Sequence, residues 1–180
     1  MSALLGNLLL ENSVAGGIRC RRMSDVDLKI PFLKNLTSEQ LKLLDPLFET
    51  FSAPAGTTVF KRGDKAVYLY LIVRGTVGIQ YKPYDGPKIT LTHLRAGDVF
   101  GWSSVVGNAT YTSDVVSKTY LDTLRIRGRD LRQLCLDHPE LGRAILEKLA
   151  EAVSPRWKDA KDQIHKILQS NMNRKEQDSS

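Results

Sequence analysis

The sequence predicts a mainly β fold, an antiparallel β-roll or jelly-roll barrel with a helix before it and helices after it. Three observations carry this reading. Between Phe51 and Arg127 apolar and polar residues alternate with period two in short runs rich in Val, Ile, Thr and Tyr. Turn-forming residues separate those runs at regular intervals. On both sides of this stretch the apolar period becomes helical.

The elements follow in order. Residues 1–23 mix Leu, Gly, Asn and Arg without a sustained period and read as a loosely ordered extension. "IPFLKNLTSEQLKLLDPLFETF" has Thr37 followed three positions later by Gln40, with Leu41, Leu44, Leu47 and Phe48 at helical spacing, the pattern of an N-capped amphipathic helix. The strands are read in "VYLYLIV", "TVGIQY", "KITLTHL" and "SDVVSKTYLDTLRI", and the turns in "PAG", "RGD", "RG", "PYDGP" and "AGD". After Arg127, "GRDLRQLCLDHPELGRAILEKLAEAVS" is helical, and Ser154 with Pro155 restarts or kinks a last helix over 154–170. Residues 171–180 form a polar tail, so that 24–153 make one domain of β-roll and flanking helices.

Composition narrows the class. The chain has 180 residues and a formal net charge of +6, enough length to bury a core without covalent staples. Cys20 and Cys135 stand apart from any C-x-x-C or metal spacing and read as two separate buried thiols of a reducing cytoplasm. No run approaches the length of a membrane span, and the first thirteen residues lack the basic start of a secretory signal, so a soluble, cytoplasmic chain is expected. Residues 51–127 hold the basic excess: Lys61, Arg62, Lys65, Arg74, Lys82, Lys88, Arg95, Lys118, Arg125 and Arg127 face only Asp64, Asp85, Asp98, Asp114 and Asp122. These cations are dispersed rather than in blocks, which favours a basic surface around an anion pocket over a nucleic-acid footprint. Nothing clusters as a Ser/His/Asp set, a metal triad or paired carboxylates, and the sequence does not read as an enzyme.

Three stretches then stand in a telling order. "PAGTTVFKRGD" (Gly56, Phe60, Gly63, Asp64), "LYLIVRGTV" (Leu69–Val77) and "LRAGDVFG" (Leu94, Gly97, Asp98, Phe100, Gly101) resemble the opening turn, the next hairpin and the approach to the phosphate-binding cassette of cyclic nucleotide-binding domains of the catabolite-activator type. The resemblance runs from about Ile30 to Ala152. It implies a β-roll regulatory module whose ligand class is a cyclic nucleotide, held where a short helix, here Trp102–Val106, turns unpaired backbone N–H groups toward a phosphate. It assigns the ligand-binding cassette to Gly101, Trp102, Ser103, Ser104, Tyr111, Thr112 and Ser113, with no catalytic or metal-ligating residue.

Two positions depart from the family pattern. The Phe-Gly pair is normally followed by a Glu that accepts the ribose 2′-hydroxyl, and an Arg nine positions later pairs with the phosphate. Trp102 and Tyr111 stand there. Trp102 reads equally as a core aromatic beneath the cassette or as a pocket wall. Tyr111 is expected to face inward, the other reading being a strand residue with its hydroxyl in water. Ser103 and Ser104 read as helix-capping hydroxyls. The resemblance with these departures implies weak or altered cAMP and cGMP recognition, or a ligand-free interaction domain or regulatory subunit with a vestigial pocket.

The implied partners are a small anionic ligand or another protein. Few residues follow Ser170, whereas the family's transcription factors carry a winged helix-turn-helix there, which argues against direct DNA binding. Leu141, Ile145, Leu149 and Ala152, then Trp157, Ala160, Ile164 and Leu168, form an apolar stripe that either pairs two copies into a homodimer or covers the barrel.

Overall fold

The computed structural model describes residues 30–82 and 88–153. The N-terminal extension with Cys20, the "PYDGP" turn, the 154–170 helix with its share of the apolar stripe, and the tail lie outside the described residues.

The chain enters through a 3-10 turn at Pro31–Leu33 and then α1, Ser38–Leu44. Thr37 caps α1 with a complete capping box: its hydroxyl accepts from the Gln40 N–H at 3.2 Å, and the Gln40 side chain accepts from the Thr37 N–H at 2.9 Å. The helix is shorter than its apolar spacing predicts. Pro46 sits in a 3-10 turn over Asp45–Leu47, and Phe48, expected on the helix, opens the first strand, because proline offers no N–H to continue the ladder.

Eight strands follow: β1 Phe48–Ala53, β2 Thr58–Phe60, β3 Tyr68–Arg74, β4 Val77–Tyr81, β5 Ile89–Leu94, β6 Val99–Phe100, β7 Asp114–Ser117 and β8 Leu121–Arg127. They form two antiparallel four-stranded sheets, ordered β1-β8-β3-β6 and β2-β7-β4-β5. The run "SDVVSKTYLDTLRI" becomes two strands, one in each sheet. This is the expected antiparallel β-roll.

Two apolar clusters divide the interior. One lies between the sheets and joins Phe60, Tyr70, Ile72, Val77, Leu94, Phe100, Tyr111, Val115 and Leu121. The other covers the opposite face of the first sheet, where Leu69, Leu71, Val99, Leu124 and Ile126 meet Ile30, Phe32, Leu44 and the C-terminal helices. The first sheet is therefore buried on both faces, which explains why β3 reads as a nearly continuous apolar run rather than a strict alternation.

The helical stretch after Arg127 divides in two. The helix α2 spans Gly128–Asp137, His138 leaves the helical region at φ −130° and ψ 78°, and α3 runs over 139–153. Pro139 causes the break, since the residue before a proline is pushed away from α geometry and proline itself suits a first helical position. Leu141, Ile145 and Leu149 point into the second cluster. This part of the stripe covers the roll. No helix among the described residues is long and apolar enough to cross a membrane.

Candidate functional site

The cassette begins where β6 stops. Gly101 takes a left-handed φ of 78°, and a Cβ there would lie 2.6 Å from the Tyr68 carbonyl oxygen and 3.2 Å from the Tyr70 ring. Only glycine lets the backbone turn this close to β3. A 3-10 turn spans Trp102–Ser104 rather than the expected helix to Val106, although the N–H groups of Val105 and Val106 both donate to the Trp102 carbonyl, at 2.9 and 3.2 Å. Gly107 ends the turn at φ 88°. Its left-handed conformation lets the Asn108 N–H reach the Ser103 carbonyl at 3.1 Å, the closing bond of a Schellman motif. The cassette is thus a single helical turn held between two glycines.

The structure separates the two departing residues. Trp102 is half-buried and packs on the helix-side cluster. Tyr111 belongs to the cluster between the sheets. They do not share one pocket.

Tyr111 is 4% exposed. Its hydroxyl accepts from the Tyr68 N–H and donates to the Tyr68 carbonyl, both at 2.9 Å, and its ring stacks on Phe60 with centroids 3.6 Å apart. The Tyr111 backbone is fixed as firmly: its N–H donates to the Asp64 carbonyl and its carbonyl accepts from the Gly63 N–H, each at 2.9 Å. The position faces inward, and its hydroxyl is bonded to backbone rather than to water. Phe60, Tyr70, Phe100 and Tyr111 together make an aromatic filling of the roll. Burial pushes the Tyr111 phenol up from its ordinary pKa, partly offset by the Tyr68 hydrogen bonds. Tyr70 moves in the same direction, first through burial and then through repulsion from Tyr111.

The serines act differently from the capping expected of them. Ser103 and Ser104 are buried, and the Ser104 hydroxyl donates to the Gly101 carbonyl at 2.9 Å. Three residues into the turn, a serine oxygen reaches back to a preceding carbonyl more readily than forward to an N–H. Gly101, which holds the N-cap position, has no side chain to accept one. Thr112 is exposed and Ser113 half-buried, both just before β7.

The best-placed interior cation is already engaged. Arg125 lies 4.2 Å over the Tyr68 ring and 5.2 Å over the Phe51 ring, and its Nε and Nη2 donate to Glu49 at 3.1 and 2.9 Å. Two other basic residues, Lys65 and Arg132, border the cassette from outside, in a cavity with Gly107, Asn108 and Thr110. Sequence reasoning missed Arg132 altogether. The available signal was its place four residues after Gly128, at the start of a helix that had to pack somewhere on the roll. Helix α2 and the cassette meet tightly: a Cβ on Gly128 would collide with the Ser104 carbonyl group, and Arg132 Nη1 donates to the Ser104 and Val105 carbonyls. Cys135 is half-buried, and burial raises its thiol pKa. No group of His, Cys, Asp and Glu able to hold a metal occurs among the described residues.

Comparison with known proteins agrees with this architecture. The family model described as "Cyclic nucleotide-binding domain" matches residues 50–138. The cAMP-activated global transcriptional regulator CRP of Pasteurella multocida is 26% identical over 132 residues, covering 69% of this chain and 61% of the regulator. The chain therefore spans about three fifths of that relative. A cyclic nucleotide-binding domain from Methylobacillus flagellatus superposes with a TM-score of 0.68 at 22% identity, over 79% of this chain and 80% of that one. A cyclic nucleotide-binding protein from Geobacter metallireducens GS-15 superposes with a TM-score of 0.63 at 30% identity, over 71% of this chain and 92% of its own. With the two-sheet roll, the glycine-bounded cassette and nearly the whole of a 30%-identical protein matched, this chain belongs to the cyclic nucleotide-binding domain family.

Proposed function

We propose that the protein is a regulatory module that keeps the family scaffold but recognises cAMP and cGMP weakly or in an altered way. The burial of Tyr111 supports this reading. At the position where the resemblance expects an arginine, the side chain is stacked on Phe60 and both of its hydrogen bonds are spent on Tyr68. It has no charge to pair with a phosphate, and no free hydroxyl proton to donate. Loss of a bidentate arginine contact to a desolvated anion costs about 2–5 kcal/mol, or roughly 30-fold to several thousand-fold in affinity. At the other departure an indole packs against the helix-side cluster in place of a ribose-binding carboxylate.

Calorimetric titration with cAMP tests the proposal. The expected result is no saturable heat at micromolar ligand. A dissociation constant in the low micromolar range or below, with heat lost on Thr112→Val, would overturn it.

A second reading is a ligand-free interaction module, favoured by the aromatic filling between the sheets. A thermal-shift screen of cyclic mono- and dinucleotides separates the two, because a ligand at 100 times its dissociation constant stabilises the fold by about 2.7 kcal/mol. A shift with a cyclic nucleotide other than cAMP or cGMP supports the regulatory module, no shift with any of them supports the interaction module, and a shift with micromolar cAMP or cGMP counts against both.

A further inference from the structure

We infer that the cavity on the outer flank of the cassette binds a phosphomonoester group, with Arg132 and Lys65 as its cationic ligands. This goes beyond the reading above, because the cavity lies outside the interior position that Tyr111 fills.

The cavity measures about 510 Å³ and is formed where three segments converge: the turn between β2 and β3, the end of the cassette, and α2. That volume falls within the range of small-molecule sites, about 300–1,000 Å³. None of its lining residues is acidic. Asp64, the acid nearest in sequence to Lys65, is turned to its own loop and accepts from the Lys61 N–H at 2.8 Å. Asp130, two residues before Arg132, pairs with Arg129 at 2.9 Å.

Arg132 is held in place by neutral acceptors. Its Nη1 donates to the Ser104 and Val105 carbonyls, and among the described residues it forms no ion pair. The other edge of the guanidinium, Nε and Nη2, takes part in none of the described hydrogen bonds, so a planar fork with a fixed base remains for two oxygens of one anion. The Lys65 backbone is also fixed. It bridges to Thr110, and the neighbouring Ala66 N–H donates to the Ala109 carbonyl at 2.9 Å. The Lys65 ammonium forms no ion pair among the described residues, and Asn108 and Thr110 add neutral hydrogen-bonding groups to the same wall.

Two cations without a local acid favour a dianion over a monoanion. A phosphomonoester carries about −1.5 to −2 charges at neutral pH, whereas the cyclic diester of cAMP carries one. The site therefore prefers the ligand that the family's interior pocket does not. Because Arg132 also grips the last carbonyls of the cassette turn, occupancy would be felt at α2.

The test is a titration of the full chain with inorganic phosphate, 5′-AMP and cAMP, followed by amide NMR and calorimetry. Phosphate or AMP is expected to saturate, shifting amides of residues 107–110 and 132, with cAMP at least about tenfold weaker. Lys65→Gln, an exposed change, should weaken phosphate or AMP binding about tenfold, and Arg132→Gln at least as much. Arg132→Lys, which keeps the charge but loses the fork, should fall between wild type and Arg132→Gln. The inference is overturned if neither phosphate nor AMP binds, if Lys65→Gln leaves the affinity within about twofold, if cAMP binds as tightly as AMP, or if the shifts fall on Thr112 and Ser113 instead. Absence of cAMP binding in the interior pocket would leave this result untouched, so the two proposals fail separately.

Discussion

The Tyr111 hydroxyl closes both hydrogen bonds of a single peptide position, accepting from the Tyr68 N–H and donating to the Tyr68 carbonyl at 2.9 Å each. On one side Tyr68 pairs with Arg127 of β8, and on the other, where β6 reaches only Tyr70 and Leu71, the phenol stands in for a ladder partner. The side chain at the position where the resemblance expects an arginine is a structural strut.

Removing that strut should be costly. Tyr111→Phe keeps the stacked ring but leaves a donor and an acceptor of Tyr68 unsatisfied, and is expected to destabilise the fold by about 1–3 kcal/mol. Urea denaturation measures it. Tyr111→Arg should cost more, because it also sets an unpaired charge against Phe60, so restoring the family's arginine is no simple reversal. A Tyr111→Phe protein as stable as wild type would show that water replaces the hydroxyl.

Gly128→Ala probes the junction of cassette and helix. Its methyl group would collide with the Ser104 carbonyl, and overpacking of this kind costs about 1–3 kcal/mol. Amide NMR should show the largest shifts in residues 102–107 and at Arg132, whose guanidinium spans the same junction. Shifts confined to α2 would mean that the cassette does not yield.

Alkaline pH should unfold the roll. Tyr70 and Tyr111 both hold their protons more tightly when folded than at the ordinary tyrosine pKa of 10.0, chiefly because burial penalises the phenolate. Below pH 10 the two phenols are neutral in folded and unfolded chains alike, and their contribution is fully present. As pH rises beyond 10, the unfolded chain releases protons that the folded one retains, and stability falls. A pH series of thermal midpoints should drop steeply there, and less steeply in Tyr70→Phe.

Much of this architecture was legible in the sequence because it rests on local chemistry. The Thr37–Gln40 capping box, the turn glycines and the period-two runs each act within a few residues, and each appears as read. The errors arose where prolines overrode apolar spacing, at Pro46 and Pro139. The candidate site was less legible. The inward direction of Tyr111 followed from the family pattern, but its partner Tyr68 is 43 positions away, and nothing local announces a hydroxyl that serves a distant peptide. Trp102 and Tyr111 are paired in the sequence because both stand where the family pattern expects a ligand-contacting residue. The chain between them instead turns through Gly107 and delivers them to opposite sides of a sheet.

The order of the strands sets a timetable for synthesis. Among the described residues strand β1 pairs only with β8, and its Glu49 meets Arg125 across 76 positions of sequence. At about 5–20 residues per second, a ribosome needs roughly 4–15 s to make the partner after making β1. Through that interval Phe48 and Phe51 wait without a ladder, and the helix-side cluster lacks the face that β8 supplies. The first sheet therefore cannot close until β8 is made, whereas the local β4–β5 hairpin needs no later strand.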